Sequence, residues 1–352
     1  MLKIRERSEC EWDVMSLGEV MLRFDPGDER IHTARSFRVW EGGGEYNVAR
    51  NLSKCFRKKT TIATALADNQ IGRLVEDLIM QGGVDVSNIL WRKTDGASRS
   101  VRNGMYFMER GFGMRDPAGC SDRGNTAVSQ VSPGDFGWDK LFSERGVRWF
   151  HCGGIFAGLS EKSAKVAEEA MMAAKKNGAI VSYDLNYRES LWADRGGLRA
   201  ANELNRVLLE CADVVFGIED FQAASDAFSP VTFEKACDEM LKRHPNLSIL
   251  AATLRDITSS SCHNISGACY AEGNVYKARA FNDVEVLDRV GSGDAFASGF
   301  IFGMLSGDAF QQAVELAAAS AALSLTCPGD GLTSTLTEIQ RLASSADRKV
   351  FR

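Results

Sequence analysis

The chain has 352 residues, of which 44% are hydrophobic and 25% are charged, as is typical of a globular protein with a large core. Its formal net charge is −5, so it lacks the positive field with which proteins hold a nucleic-acid backbone or an acidic membrane surface. Neither nucleic acid nor a membrane is therefore an expected partner.

The first half of the chain predicts strands, one helix and a glycine-rich region. Alternating hydrophobic residues predict one or two strands within 13–25. After Gly42, Gly43 and Gly44, apolar residues at spacings of three and four predict a helix, and 60–65 predicts a short strand. Between 98 and 130, glycines interrupt strand-like segments and no long helical pattern occurs, which indicates a small β-rich excursion.

The second half predicts strands that alternate with helices. The predicted strands are 147–150, 179–184, 213–216, 248–254 and 284–287, the predicted helices include 161–176 and about 198–211, and a hairpin joins 268–271 to 275–278. This order predicts a three-layer α/β/α domain with a mostly parallel central sheet, in which ligands bind at the carboxyl ends of the strands. No internal repeat or linker occurs, so we expect a single domain over 1–352.

The cysteines and the N-terminal residues indicate the cellular compartment in which the protein is expected. The nine cysteines form no Cys-x-x-Cys pair, which indicates a reducing environment and argues against a zinc site or a disulfide framework. Residues 1–9 are charged and lack the apolar core of a signal peptide, and no apolar run reaches the roughly 18 residues that cross a bilayer. We expect a soluble, cytoplasmic protein.

A candidate anion site precedes an apolar helix that begins near residue 294. Gly291 and Gly293 carry no side chain where a backbone must approach a ligand, and the helix start offers unpaired N–H groups and the positive end of its dipole. With Ser292 they would bind a phosphate, and Asp294 would accept the proton of an attacking hydroxyl. Alternatively, Asp294 only caps the helix. Neither a Gly-x4-Gly-Lys-Ser/Thr loop nor a strand-coupled Gly-x-Gly-x-x-Gly motif is present.

Residues 288–296 resemble the C-terminal signature of the ribokinase, or pfkB-type, family, whose pattern is Asp-Thr-x-Gly-Ala-Gly-Asp-x-Phe. Residues 42–49 are similar to its N-terminal signature, two glycines followed by an Asn that opens a helix. The two motifs lie about 250 residues apart and in the right order, which makes them more specific together than either is alone. The resemblance covers essentially the whole chain. It implies a ribokinase-like fold with a small β-sheet lid from about 19–41 and 98–130, ATP and Mg²⁺ as cofactors, Asp294 as the base, and an anion hole formed by the amides of 291–294.

Within that family, the stretches 42–49, 103–110 and 182–188 are most similar to 2-keto-3-deoxygluconate kinases. The implied reaction transfers the γ-phosphate of ATP to this sugar acid and gives 2-keto-3-deoxy-6-phosphogluconate. Arg188 follows a strand end, where its guanidinium can hold a carboxylate through two parallel hydrogen bonds. Arg123 would supply a second cation and Tyr106 a ring with a hydroxyl, although a solvated arginine and a core tyrosine are ordinary alternatives.

The resemblance also implies roles at further positions. Gly42, Gly43 and Asn47 would contact the substrate, Asn47 through hydrogen bonds to sugar hydroxyls, although an Asn at a helix start can also simply cap it. Asp330 matches a family position near the substrate, although an Asp after Pro-Gly is also common in turns. Thr253 and Arg255 match the end of the nucleotide-binding strand.

Two positions depart from the family pattern. Ile218 stands where the family usually carries the Asn of an Asn-x-x-Glu motif, which leaves Glu219 or Asp220 to hold the metal through water. Arg289 stands where Thr is common, which bears on a K⁺ site beside the anion hole, so K⁺ is a further candidate cofactor.

Several alternatives remain open from the sequence. Edge strands in the lid are easily covered by another subunit, so a homo-oligomer is expected. The rival functions are a kinase of the same family for fructose or ribose, a non-catalytic nucleotide-binding or sugar-binding relative, and a dehydrogenase, because a fold does not determine function.

Overall fold

The computed structural model describes residues 2–219, 221 and 228–344. Asp220, one of the two predicted metal residues, lies outside the described residues. Within them, no helix is long and apolar enough to cross a bilayer. All nine cysteines are unpaired.

The described strands form one large and one small sheet. In chain order they are β1 (Trp12–Leu17), β2 (Met21–Asp25), β3 (Arg38–Gly42), β4 (Thr60–Ala67), β5 (Ile89–Arg92), β6 (Met105–Glu109), β7 (Ala118–Asp122), β8 (Val147–Gly153), β9 (Ile180–Asp184), β10 (Val214–Phe216), β11 (Ile249–Ser259), β12 (Cys262–Ala271), β13 (Asn274–Lys277) and β14 (Phe281–Glu285). The α-helices are α1 (Gly44–Lys54), α2 (Gln70–Gln81), α3 (Gly154–Ala157), α4 (Glu161–Lys176), α5 (Glu189–Trp192), α6 (Gly197–Leu209), α7 (Pro230–Arg243), α8 (Ser292–Ser306), α9 (Phe310–Ser324) and α10 (Leu336–Ser344).

The large sheet has the order β13-β12-β11-β10-β9-β8-β1-β4-β5, and β14 also pairs with β12. The neighbours from β11 to β5 are parallel, whereas β12, β13 and β14 add an antiparallel edge. Every residue of β1 and β4 is buried, as expected for parallel strands that are covered by helices on both faces. The predicted α/β fold class with a mostly parallel sheet is confirmed.

Helix α8 is apolar on nearly all sides because it lies inside the molecule. Its buried residues include Ala295, Phe296, Phe300 and Ile301, and they share one core cluster with residues of α1 and α9. A helix that is hydrophobic all round is stable only when neighbours cover it completely. This packing holds the N-terminus of α8 rigidly against the sheet.

The small sheet has the order β3-β2-β6-β7. Its central pair, β2 and β6, is parallel, and the two outer pairs are antiparallel. Phe24 of β2 and Phe107 of β6 stack with ring centroids 4.9 Å apart, and Phe37 packs edge-on against Phe107. On the opposite face of the small sheet, Arg23 and Tyr106 are buried against the rest of the molecule. The small sheet therefore contributes side chains to the interior, while its action as a lid stays a prediction.

Some sequence predictions differ from the structure. The segment 13–25 forms two strands that belong to different sheets, because the chain leaves the large sheet at Gly18. Helix α2 and strand β5 were not predicted. The strand predicted at 284–287 is wrong in its position, because β14 spans Phe281–Glu285. It pairs antiparallel with β12, so the glycine loop does not follow a parallel strand. The apolar pair Val286 and Leu287 suggested a strand although it lies in the connection to the loop.

Candidate active site

The candidate site lies at the carboxyl ends of the parallel strands, as the fold class predicts. Glu19 follows β1, Gly153 ends β8 and Asp184 ends β9. The N-termini of α1 and α8 reach the same region, since the Cβ of an alanine at position 44 would lie 3.6 Å from Oδ1 of Asp294. The two glycine motifs, which are far apart in the sequence, are therefore neighbours in space.

The glycine loop before α8 has the backbone of an anion site. Gly291 adopts φ +80°, and a Cβ there would lie 1.9 Å from the carbonyl oxygen of Asp330, so only glycine is accommodated. The N–H of Ala295 donates to the carbonyl of Gly291 at 2.8 Å and closes the first helical turn. The N–H groups of Ser292, Gly293 and Asp294 precede that bond and have no acceptor within the helix. Gly293 is exposed, so this N-terminus is open to a ligand.

Asp294 is held in place by Asn47. Nδ2 of Asn47 donates to Oδ2 of Asp294 over 2.7 Å, and both residues are buried. Oδ1 of Asn47 is buried without a hydrogen-bond partner. Asn47 therefore lies inside the first turn of α1 and orients Asp294, whereas the capping alternative would place it at the helix boundary, where Gly43 stands.

Three carboxyl groups near the loop have raised pKa values: Glu45 and Asp294 are buried, and Asp184 is partly buried. Loss of hydration on burial, assisted by the charges of Asp184 and Asp330, raises the pKa of Asp294 to about 7, although the hydrogen bond from Asn47 and the charge of Arg188 oppose this shift. Burial likewise raises the pKa of Glu45 to about 8 and that of Asp184 to about 6. A carboxylate with a pKa near 7 is well matched to general base catalysis at neutral pH.

This pKa predicts a pH dependence. If Asp294 is the base, it must be ionised, so kcat/KM for the sugar should fall about tenfold per pH unit below about pH 7 and level off above it. Initial rates between pH 5.5 and 9 at saturating ATP test this expectation, with enzyme returned from each pH to pH 8 as the control for inactivation. A flat profile down to pH 5.5 would contradict the assignment.

Tyr106 and Asp330 belong to a buried ionic network that lies next to Gly42 and Gly291 of the two glycine motifs. The hydroxyl of Tyr106 donates to Oδ2 of Asp330, and Nη1 of Arg23 donates to Oδ1 of Asp330 over 2.7 Å. Nη2 of Arg23 bonds Asp288 at 2.5 Å. A Cβ at Gly42 would lie 2.4 Å from Oδ2 of Asp330, so this glycine allows the close approach of the network.

The two predicted cations differ in their partners. Nε of Arg123 donates to Oε2 of Glu19 over 3.0 Å, and the Glu19 side chain is almost fully buried, so this charge is already compensated. Arg188 is exposed and forms no ion pair among the described residues, and its charge reaches Asp294 and Asp184, whose pKa values it lowers. Arg188 is therefore the freer of the two cations.

The predicted nucleotide and metal residues lie at the next strands of the sheet. Thr253 of β11 is exposed and pairs with Gly267 of β12, where a Cβ would meet the ring of Phe296 in α8. Arg255 lies two residues further along β11. Oε2 of Glu219 accepts a hydrogen bond of 2.5 Å from Arg243, while its Oε1 is buried without a partner.

Sequence reasoning missed three residues of the site. Arg23 is fully buried and joins the loops at Asp288 and Asp330, yet it lies in an alternating strand where an arginine usually faces solvent. Glu45 is buried, and its Oε1 accepts the N–H of Phe156 over 3.1 Å. Asn186 adopts φ +29°, and its amide lies 3.5 Å from a Cβ built on Gly44. Glu45 and Asn186 lie within the stretches 42–49 and 182–188 that carry the resemblance, which was their signal in the sequence, whereas Arg23 had none.

Comparison with known proteins adds independent information on this arrangement. Residues 147–337 match the pfkB family carbohydrate kinase, over just more than half of the 352 residues. A 2-dehydro-3-deoxygalactonokinase of Haloferax volcanii is 26% identical over 97% of this chain and 99% of its own length. A 5-dehydro-2-deoxygluconokinase of Clostridium tetani is 26% identical over 88% of this chain and 86% of its own length.

Solved structures show the same fold. A crystal structure of 2-dehydro-3-deoxygluconokinase from Thermotoga maritima superposes with a TM-score of 0.84 and 30% identity, and the match covers 94% of this chain and 99% of that one. A putative ribokinase II from E. coli in complex with ATP and Mg²⁺ superposes with a TM-score of 0.75 at 18% identity, over 94% and 98% of the two chains. With its fold and both glycine motifs in place, the chain is a carbohydrate kinase and belongs to the pfkB family.

Proposed function

We propose that this kinase transfers the γ-phosphate of ATP to a hydroxyl of a keto-deoxy sugar acid, with 2-keto-3-deoxygluconate as the substrate and its 6-phosphate as the product. One observation carries the choice of an acid over a neutral sugar: Arg188 is exposed, has no ion pair among the described residues and lies within electrostatic reach of Asp294. A free guanidinium beside the reacting centre matches a carboxylate and has little use for a neutral hexose.

The proposed chemistry assigns a step to each group around Asp294. The carboxylate of Asp294 accepts the proton as the sugar hydroxyl attacks the γ-phosphorus, whose bond to the bridging oxygen breaks so that ADP leaves. The hydrogen bond from Asn47 keeps the carboxylate aimed at that hydroxyl. The N–H groups of Ser292, Gly293 and Asp294 stabilise the charge that grows on the transferred phosphoryl group. Closure of the small sheet over the sugar would exclude water, which otherwise competes as an acceptor.

Magnesium fits this site as an ion held mainly by phosphates and water. No cluster of three or more His, Cys, Asp or Glu side chains suited to a metal occurs in the described part of the chain. Mg²⁺ commonly keeps several waters and binds one or two carboxylates together with substrate phosphates. The unpartnered Oε1 of Glu219 is a candidate for contact through water. When bound, the ion would neutralise phosphate charge during transfer.

The relatives support the class of substrate, and one of them supports a second candidate. The relatives from Haloferax, Clostridium and Thermotoga are named as kinases of dehydro-deoxy gluconate or galactonate. The galactonate kinase matches over nearly the full length of both chains. The C4 epimer 2-keto-3-deoxygalactonate is therefore our second candidate substrate, since the two acids would present the same carboxylate to Arg188.

A substrate panel tests the proposal. ADP release with ATP and Mg²⁺ should be rapid with 2-keto-3-deoxygluconate or its galactonate epimer and slow with fructose and ribose. In Arg188→Met, KM for the acid should rise roughly 10-fold to 100-fold, because a hydrogen-bonded charge contact is worth about 1.5–3 kcal/mol. KM for ATP should change much less.

Two results would contradict the proposal. Turnover of neutral sugars alone would retain the kinase and remove the argument from Arg188. No turnover with any of the four sugars, in a protein that still binds ATP, would favour a non-catalytic relative. Arg199→Met is the matched control, because Arg199 lies on the exposed face of α6 and is 89% exposed.

A further inference from the structure

A buried cation lies between two carboxylates beside the glycine loop. Nη1 of Arg23 donates to Oδ1 of Asp330 over 2.7 Å, and Nη2 donates to Oδ2 of Asp288 over 2.5 Å. The side chain of Arg23 is fully buried, and those of both acids are almost fully buried. Burial opposes the charge of Arg23, but the charges of Asp330 and Asp288 outweigh it and raise the pKa of this guanidinium above its ordinary value. Arg23 is therefore a permanent cation that joins two different loops.

Both carboxylates belong to the framework of the anion loop. Oδ1 of Asp288 accepts the N–H of Val290 over 3.2 Å, and Oδ2 accepts the N–H of Gly329 over 3.3 Å. The backbone carbonyl of Asp330 lies against Gly291, which has no side chain to prevent this contact. Asp288 thus fixes the residue before Gly291, and Asp330 packs on Gly291 itself. The cation between the two acids holds both supports of the loop together.

The family resemblance makes K⁺ a candidate cofactor beside the anion hole, but the groups found there do not fit this ion. K⁺ is bound by oxygen atoms that replace its hydration shell. Each of the four carboxylate oxygens of Asp288 and Asp330 already accepts a hydrogen bond. The donors are the N–H groups of Val290 and Gly329, the guanidinium of Arg23 and the hydroxyl of Tyr106. The guanidinium also fills the place between the carboxylates, where a free cation would be attracted most strongly.

A third carboxylate in this region, that of Asp25, is occupied as well. Its Oδ1 accepts the N–H of Gly27 over 2.8 Å, and its Oδ2 accepts Nη2 of Arg110 over 2.6 Å. Nε of Arg110 also lies 3.9 Å from Asp288. Two guanidinium groups, those of Arg23 and Arg110, therefore lie against three carboxylates. The chain itself supplies most of the positive charge that this acidic cluster requires.

We propose that Arg23 is a built-in counter-ion of the anion loop, which takes the place of a bound monovalent cation, so that this kinase needs no K⁺. The inference rests on the proposed role of the glycine loop in phosphoryl transfer. Arg23 is a positioning residue, because it acts through Asp288 and Asp330 on the N–H groups of 292–294 and does not touch the substrate. A cation that is covalently attached cannot dissociate, so the loop keeps its geometry whatever salt is present.

Replacement of K⁺ by tetramethylammonium tests the proposal in the wild-type protein. At constant ionic strength, kcat and KM for ATP should change by less than about twofold between zero and about 100 mM K⁺. The melting temperature should change by less than about 1 °C, because only an ion that binds the folded protein would raise it. A larger activation by K⁺, or a melting temperature that climbs with its concentration, would overturn the proposal.

Arg23→Ala removes the cation and leaves room for a small ion between the carboxylates. Its kcat per folded molecule should fall roughly 10-fold to 100-fold, because two hydrogen bonds to charged groups are lost. Guanidinium at about 20 mM should raise this kcat at least about fivefold by binding in the vacated space, whereas tetramethylammonium should not. Tryptophan fluorescence gives the folded fraction. An unchanged kcat per folded molecule, or no recovery with guanidinium, would contradict a positioning role.

Two further variants complete the test. Arg23→Lys keeps the charge without the planar fork, so its kcat should lie between those of the wild type and Arg23→Ala. Arg199→Ala is the matched control, because Arg199 is 89% exposed on α6, and it should neither lose kcat nor respond to guanidinium. If Arg23→Ala does not fold, the K⁺ series of the wild-type protein still decides the question.

The measurements also separate this inference from the proposed function. Turnover of the sugar acid that requires K⁺ would retain the proposed function and remove the built-in counter-ion. A wild-type protein that turns over no sugar at any K⁺ concentration would remove the proposed function. The melting temperature in K⁺ and in tetramethylammonium would then still show whether K⁺ binds the folded protein.

Discussion

Asp294→Asn should lower kcat by about 10²-fold to 10⁴-fold while ATP and the sugar still bind. The amide keeps the shape of the side chain and can still bond Asn47, but it cannot accept the proton of the attacking hydroxyl. A quenched-flow or coupled assay for ADP gives the rate, and calorimetry gives both affinities. Because binding and chemistry are measured separately, a loss of kcat with both affinities retained would show that Asp294 acts in the chemical step, and the pH profile would then test its role as the base.

The stability of the same variant provides a control on folding. The pKa of Asp294 is raised from 3.8 to about 7 in the folded state, so its favourable contribution is complete below pH 3.8 and is lost as the pH rises through about 7. At pH 8 the wild-type protein bears the cost of a buried charge, and Asp294→Asn should be more stable by at most about 4 kcal/mol. A folded variant that is less stable than the wild-type protein at pH 8 would contradict the raised pKa of Asp294.

Arg23→Met should reduce the free energy of unfolding by about 3–5 kcal/mol. The substitution keeps most of the side-chain volume but leaves Asp288 and Asp330 buried without their cation. Since the carbonyl of Asp330 lies against Gly291, the anion loop should also lose its support, and kcat should fall. Urea unfolding at pH 7.5, followed by tryptophan fluorescence, measures the stability.

The matched control is Arg199→Met, which removes an exposed pair with Glu203 on α6. Exposed pairs of this kind contribute only about 0.3–0.5 kcal/mol. If Arg23→Met does not accumulate as a folded protein, Arg23→Lys retains a charge and should show a smaller loss. A change for Arg23→Met as small as that for Arg199→Met would refute the role of Arg23 as the centre of the network.

The same buried charges affect both the stability of the site and its chemistry. Glu45, Asp184 and Asp294 carry pKa values raised by burial, and each ionised form opposes folding. The buried network around Arg23 holds the loops that carry Asp288 and Asp330 near these groups. Such costs are common in sites that are organised for catalysis. Removing the charge of one of these acids should therefore raise the stability, whereas removing Arg23 should lower it.

The sequence determined the alternation of strands and helices, because hydrophobic periodicity is a local property. Helix α4 and the turn at Gly273 between β12 and β13 follow the predicted positions closely. Periodicity did not reveal α2 and β5, nor that β14 lies antiparallel at the sheet edge, because pairing partners are chosen by distant residues. The two glycine motifs were visible because they are short, contiguous and chemically unusual.

Only the tertiary structure determined which charged side chains form ion pairs and which do not. Arg23, Arg123 and Arg188 look alike in the sequence, yet the first is fully buried between carboxylates, the second is neutralised by Glu19, and the third has no ion pair among the described residues. The same holds for the carboxyl groups, since the pKa of Asp294 depends on burial and on neighbours such as Asn47 and Asp184, both more than 100 positions away in the sequence. Charge interactions depend on distance and desolvation in space, which no local pattern encodes.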